Sequence, residues 1–287
     1  MFEPNQSQPR PPHRNKSKRS KQGGRKVVPI VGVLAIITIV AIVYLTVTYQ
    51  LMSDYAYKKS PTEVFKPGAQ FTIASPEPNS TANDRPVANP FRLVVIGDST
   101  SLGQGAHNQK GSYSYQYAKS TLSQKHSPIK LYNLAVSGAT SADVMRQQVD
   151  AAIALKPDLI MLSVGANDVM KLVGNGQFKL NYALIVQKLT SIDTHLALLN
   201  IPAFFTIPLL VQPYRAITDY RVRQLNKVIA RVVASEPDDS LITLVDIYNG
   251  TKDEFKRYPD RTFSKDKFHP STYGYSVWAR VIAETLN

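Results

Sequence analysis

Between residues 27 and 49 the chain carries no charged side chain, and this one run limits what the rest can fold into. The run is mostly Val, Ile, Leu, Ala and Thr. As an α-helix it would be roughly 34 Å long at about 1.5 Å per residue, enough to cross a hydrocarbon core of ~30 Å. Pro29 falls in the first turn, where a missing N–H costs little. Tyr44 and Tyr49 fall near the far end, where amphipathic rings favour a membrane interface. A buried helix of a soluble domain would normally keep a polar face, and a secretory leader would have an apolar region of about 7–15 residues before a small-residue cleavage site. Residues 27–49 are therefore expected to form a single transmembrane helix, with bilayer lipid as its partner.

The formal net charge of +13 raises the question of nucleic acid. Its distribution answers it. Residues 1–26 carry eight Lys/Arg against the single acid Glu3, whereas everything after carries 26 basic and 20 acidic side chains. The excess is concentrated beside the apolar run, where the positive-inside rule makes it a topology signal and an attraction for anionic lipid head groups. The expected arrangement is a disordered basic cytoplasmic tail over 1–26 and a cell-membrane protein whose remaining domain is extracytoplasmic. Nucleic acid is not expected as a partner. Residues 53–90 contain six prolines among Ser, Asn and Ala, so 50–90 reads as a Pro-rich stalk or linker. The patches at 64–65 and 71–73 could pack on the domain or form a short strand. The chain has no cysteine, which excludes disulfides and thiolate chemistry.

From residue 91 to 287 short apolar runs alternate with helix-period segments. The runs fall at 93–96, 131–136, 159–164, 203–207 and 241–245, and the amphipathic stretches at 113–123, 142–155, 181–199, 216–235 and 271–286. Largely continuous apolar strands imply burial on both faces, hence a parallel sheet covered by helices on each side. The expected fold is a three-layer α/β domain with five parallel strands. In such sheets functional groups gather beyond the carboxyl ends of the strands.

Four segments stand at those ends: Gly97-Asp98-Ser99, Ser137-Gly138-Ala139, Gly165-Ala166-Asn167-Asp168 and, before the last helix, Asp266-Lys267-Phe268-His269. Singly, each reads as a turn or a helix cap. Together they supply a full set for acyl chemistry. A serine hydroxyl needs a base to become a nucleophile, and the base needs an orienting carboxylate. Asp266 precedes His269 by three residues, so one turn can bring its oxygen to Nδ1 and leave Nε2 free. The developing oxyanion needs fixed donors, which the N–H groups of Ser99 and Gly138 and the Asn167 amide could supply. Gly138 has no Cβ to block close approach. Asp246, directly after an apolar run, is the alternative acid, and Ser101 and Ser137 are alternative nucleophiles. Asp98 reads as a loop-holding residue, Asp168 as a helix-start residue, and Arg215, Arg221 and Arg223 as a solvated helix face. No His/Asp/Glu grouping has metal-ligand spacing, so neither a metal nor another cofactor is expected.

These four segments resemble the signature blocks of the SGNH/GDSL hydrolase superfamily: GDS with the serine, a later glycine, GxND with the asparagine, and DxxH with the acid and base. The resemblance covers the span from residue 93 to the C-terminal helix. It implies a flavodoxin-like α/β/α sandwich in which Ser99, Asp266 and His269 are catalytic and Ser99, Gly138 and Asn167 form the oxyanion hole. The implied activity is that of a serine ester hydrolase of the esterase, lipase or carbohydrate deacetylase kind, without a cofactor, acting on a small-molecule, lipid or glycan ester outside the membrane. Acyl transfer at the same site and a catalytically silent tethered binding domain are the other two readings.

Overall fold

A computed structural model of the chain describes residues 27–59, 66–74, 89–237 and 241–286. The expected basic tail at 1–26, and residues 60–65 and 75–88 of the expected stalk, lie outside them. The described residues fall into two compact units divided between Val47 and Thr48.

The first unit is helix. A continuous helix, Val27–Lys59, begins there and runs on into the second unit, past the end at residue 49 expected from charge alone. Its stretch Val31–Met52 is long and apolar enough to cross a membrane. Val33, Leu34, Ile36, Ile37, Val40 and Val43 are all exposed. A soluble core helix would bury such side chains.

The second unit is built on one sheet of six strands. They are β1 (Ala69–Ile73), β2 (Phe91–Gly97), β3 (Ile129–Asn133), β4 (Leu159–Ser163), β5 (His195–Leu199) and β6 (Ile242–Val245), in the order β1-β3-β2-β4-β5-β6. β2 to β6 run parallel, and β1 pairs antiparallel with β3 from Ala69↔Asn133 to Ile73↔Ile129. The sheet is therefore mixed and six-stranded, not the five-stranded parallel sheet expected. The extra strand contains the patch at 71–73, for which packing on the domain and a short strand were both open, and β1 alternates partly buried and exposed residues, as an edge strand with one wet face does. The central strands differ, with Leu93–Gly97 of β2 and all of β4 fully buried.

One strand lies elsewhere than expected. The run at 203–207 lies between Pro202 and Pro208, which offer no N–H to a ladder, and it holds only a 3₁₀ turn, Phe204–Thr206. The strand is instead His195–Leu199, whose residues continue the spacing of the preceding helix. That helix, Asn175–Leu189, stops six residues earlier. Leu and Ala suit a helix as well as a buried strand, so periodicity alone does not separate the two.

The helices pack in two groups. Ser141–Gln147, Val149–Ala154, Asn175–Leu189 and Tyr214–Val233 form one, and the segments around Tyr113–Tyr117, Ile247–Arg257 and Thr272–Leu286 form the other. Right-handed crossovers explain the division, because connections that run in opposite directions along a sheet place their helices on opposite faces. From β2 the chain moves one way to β3, then reverses past β2 to β4, β5 and β6. The reversal opens a crevice at the carboxyl ends of β2 and β4.

Candidate active site

The crevice begins with a turn that only glycine can make. Gly97 closes β2 at φ +139°, and a Cβ there would stand 2.0 Å from the Ser163 carbonyl of β4. The chain turns at once into a short helix, Ser99–Leu102. Asp98 caps it, accepting hydrogen bonds from Thr100 N–H at 2.9 Å and Thr100 Oγ1 at 2.7 Å. Asp98 is the loop holder expected, and Ser99 follows as the first helical residue.

Far along the chain, the segment from Phe263 to Pro270 folds back on itself, with Ser264 N–H bonded to His269 O at 2.8 Å. Lys267 takes the left-handed conformation, φ +56°, which lets the chain curl around the Asp266 carboxylate. Asp266 Oδ1 accepts from Ser264 Oγ at 2.6 Å and from the N–H groups of Phe268 and His269 at 2.9 Å. Its Oδ2 lies 2.7 Å from His269 Nδ1, and His269 Nε2 lies 3.0 Å from Ser99 Oγ. Ser99, Asp266 and His269 are thus brought into one chain of contacts, and all three are buried.

The other expected residues stand around Ser99. Gly138 has φ +79° with open space where a Cβ would point. Asn167, in the helix Ala166–Met170, donates its Nδ2 to Ala139 O at 3.1 Å, so its loop is tied directly to the glycine loop. An amide nitrogen has a second hydrogen to offer. Lys171, which no motif singles out, donates to Gly138 O at 3.0 Å. Asp168 joins the same two loops. Fully buried, it accepts from Ser141 N–H at 2.9 Å and Ser141 Oγ at 2.6 Å. It is a cross-link between loops more than a helix-start residue.

The alternatives are placed elsewhere. Asp246 caps the helix Ile247–Arg257 and binds Asn249 and Asn200. Ser101 Oγ is buried against Tyr113 OH and Ser163 O, and Ser137 Oγ is given to Gln104 Oε1. Arg221 and Arg215 are not a solvated face: they donate to the Val173 and Leu210 carbonyls, while Arg223 pairs with the buried Asp219 at 2.8 Å.

Electrostatics separates the two aspartates nearest the serine. Burial pushes Asp98 up to about 6, against the lowering effect of Thr100 and the neighbouring His269. Burial would also raise Asp266, but hydrogen bonds from His269 and Ser264 and the His269 charge outweigh it and bring Asp266 down to about 2. Asp266 is therefore an anion at working pH, and Asp98 changes charge in mildly acidic solution.

Two cavities meet at the serine, sharing Ser99, Asn167, Phe268 and His269. The inner one, between Phe204, Ile207, Phe255 and Phe263, is narrow and has room for about 40 Å³. The outer one, about 260 Å³, adds Gly138, Met170, Leu209 and Leu210 and also Tyr49 and Met52 from the N-terminal helix. Those last two belong to the same compact unit as the serine.

The model of the GDSL-like lipase/acylhydrolase family matches residues 95–277. A GDSL-like esterase of Mycobacterium tuberculosis is 28% identical over 200 residues, which cover 69% of this chain but only 62% of that protein. The chain thus spans less than two thirds of that relative's length. An acetylxylan esterase of Geobacillus stearothermophilus is 24% identical over 211 residues, covering 68% of this chain and 93% of its own. In fold, a lipase/acylhydrolase from Enterococcus faecalis matches with a TM-score of 0.53 at 19% identity, over 68% of this chain and 94% of that one. The family match takes in well over half the sequence and includes Ser99, Gly138, Asn167, Asp266 and His269, and the chain belongs to the GDSL-like lipase/acylhydrolase family.

Proposed function

We propose that the chain is a membrane-anchored serine ester hydrolase. The observation that carries this reading is the line Ser99 Oγ, His269 Nε2, His269 Nδ1, Asp266 Oδ2, at 3.0 and 2.7 Å, assembled from residues 170 positions apart. In the proposed reaction His269 Nε2 takes the Ser99 proton as Oγ forms a bond to the ester carbonyl carbon. The N–H groups of Ser99 and Gly138 and the Asn167 amide hold the resulting oxyanion. The C–O bond to the alcohol then breaks, and His269 returns its proton to the departing alkoxide. A water, deprotonated by the same histidine, releases the acid and restores Ser99. Asp266 fixes the ring's tautomer and stabilises the imidazolium that forms. The acetylxylan esterase among the relatives supports an acetyl group as one acyl group within reach, in keeping with the narrow inner cavity.

The anchor is residues 27–49 with the basic tail in the cytoplasm and the catalytic unit outside. The apolar stretch Val31–Met52 and its exposed Val, Ile and Leu side chains support the span, and the basic residues before it support the orientation.

Kinetics on an activated ester tests the chemistry. Ser99→Ala should lose turnover with an unchanged melting temperature, and Asn167→Ala should lower kcat by roughly 10²–10³, the effect of losing one oxyanion donor. Turnover retained in Ser99→Ala removes Ser99 from the mechanism.

With Asp266 already ionised above about pH 2, only one proton need leave the free enzyme before attack. The acid limb of log kcat/KM against pH should therefore rise with a slope of about one. A slope near two would draw Asp98, which titrates at about 6, into the reaction.

Topology is tested by adding protease outside intact cells. Cutting within the Pro-rich stretch 60–90, with an epitope on the basic tail left protected, is the expected result. Digestion of the tail under these conditions inverts the orientation.

A further inference from the structure

The outer cavity has a wall that belongs to none of the motif segments. Within the helix Val27–Lys59, Tyr49, Met52 and Tyr55 lie against the rim of the catalytic unit, of which residues from Thr48 onward are part. Three separate contacts hold it there. The Tyr49 ring meets the Tyr214 ring at 6.3 Å, Met52 is buried to 9% exposure, and Tyr55 OH donates to Lys265 O at 3.2 Å with Lys267 Nζ 5.8 Å from its ring centre. Lys265 and Lys267 flank Asp266, so the helix grips the loop that carries the catalytic acid and base. Tyr49 and Met52 thereby face the same cavity as Ser99 and His269, completed by Met170, Leu209, Leu210 and Phe268.

We propose that Tyr49 and Met52 are specificity-determining residues, forming one wall of a subsite for the hydrocarbon arm of the ester; this rests on the hydrolase reading above. The lining carries the argument. Apart from the catalytic side chains, Ser137 and Gly138, every residue around the outer cavity is a Met, Leu or aromatic residue. The outer cavity, about 260 Å³ against about 40 Å³ for the inner, gives a long arm the more room. A thioether and an amphipathic ring adapt to a flexible alkyl chain without demanding a fixed polar partner. Tyr49 remains half exposed, as the mouth of such a channel requires. The end of the anchor is then a working part of the active site, and the enzyme selects for esters with an apolar arm.

The experiment uses the full chain reconstituted in phosphatidylcholine nanodiscs. It measures kcat/KM for two series: p-nitrophenyl esters from acetyl to decanoyl, and alkyl acetates from ethyl to decyl. The readout is the ratio of the longest to the shortest substrate in each series. Partitioning into the disc is common to all variants and cancels against wild type. Removing the contacts of two or so methylene equivalents should lower that ratio roughly tenfold in Tyr49→Ala and in Met52→Ala, in at least one series. Tyr49→Phe and Met52→Leu, which keep the apolar area, should restore it. Ratios within about twofold of wild type in both series, including the case where short and long esters lose rate equally, overturn the subsite. A wild-type protein that cleaves no ester of either series overturns the hydrolase reading, and the subsite with it.

Discussion

The site depends on keeping one carboxylate charged inside the protein. Asp266 is fully buried, and an anion taken out of water is tolerable only where donors replace the lost hydration. The loop supplies them from within a few residues: Ser264 Oγ, the N–H groups of Phe268 and His269, and His269 Nδ1. Lys267 adopts its left-handed conformation to let those donors converge. The same turn that satisfies the carboxylate also aims His269 at Ser99, so the orientation of the base follows from the solvation of the acid. Gly97 makes the matching arrangement on the other side, where the absence of a Cβ lets β2 approach β4 and deliver Ser99 at the crevice.

The three buried aspartates of the site behave differently because their donors differ. Asp266 is lowered to about 2, so its contribution to stability is full above its ordinary value of 3.8 and is lost as pH falls through 2. Asp98 is raised to about 6, so its contribution is full below 3.8 and is lost as pH rises through 6. Asp168 is also raised by burial, opposed by its two bonds from Ser141. Asp98 and Asp168 each hold a loop by accepting hydrogen bonds, which oppose the effect of burial without reversing it. Asp266 faces a histidine that must become cationic during the proposed reaction, and there only the anion serves.

What could be read from the sequence was local. The pair Asp266 and His269 are three residues apart, and the turn that joins them is written in that interval. The apolar runs of β2 and β4 were legible because buried parallel strands need no alternation. β1 was not decided, since its pairing with β3 lies in long-range register and not in its own composition. The strand His195–Leu199 was hidden by residues that suit either secondary structure. Asp168 and Ser141 are 27 positions apart, and no spacing rule connects them. The docking of Tyr49 and Met52 was the least legible of all: Tyr49 reads as the outer end of an apolar span, a role that uses the same side-chain chemistry as lining a cavity, and Met52 falls in the stretch read as stalk.

The central claim, that Ser99 carries the acyl group, is tested most directly by trapping it. The full chain is mixed with excess p-nitrophenyl acetate, quenched in acid within the first turnovers and digested for mass spectrometry. The account predicts an acetyl group on the peptide containing Ser99, formed in a burst with about one p-nitrophenolate per protein. Steady turnover of the ester with that peptide unmodified, or with the acetyl group on Ser101 or Ser137, would contradict it.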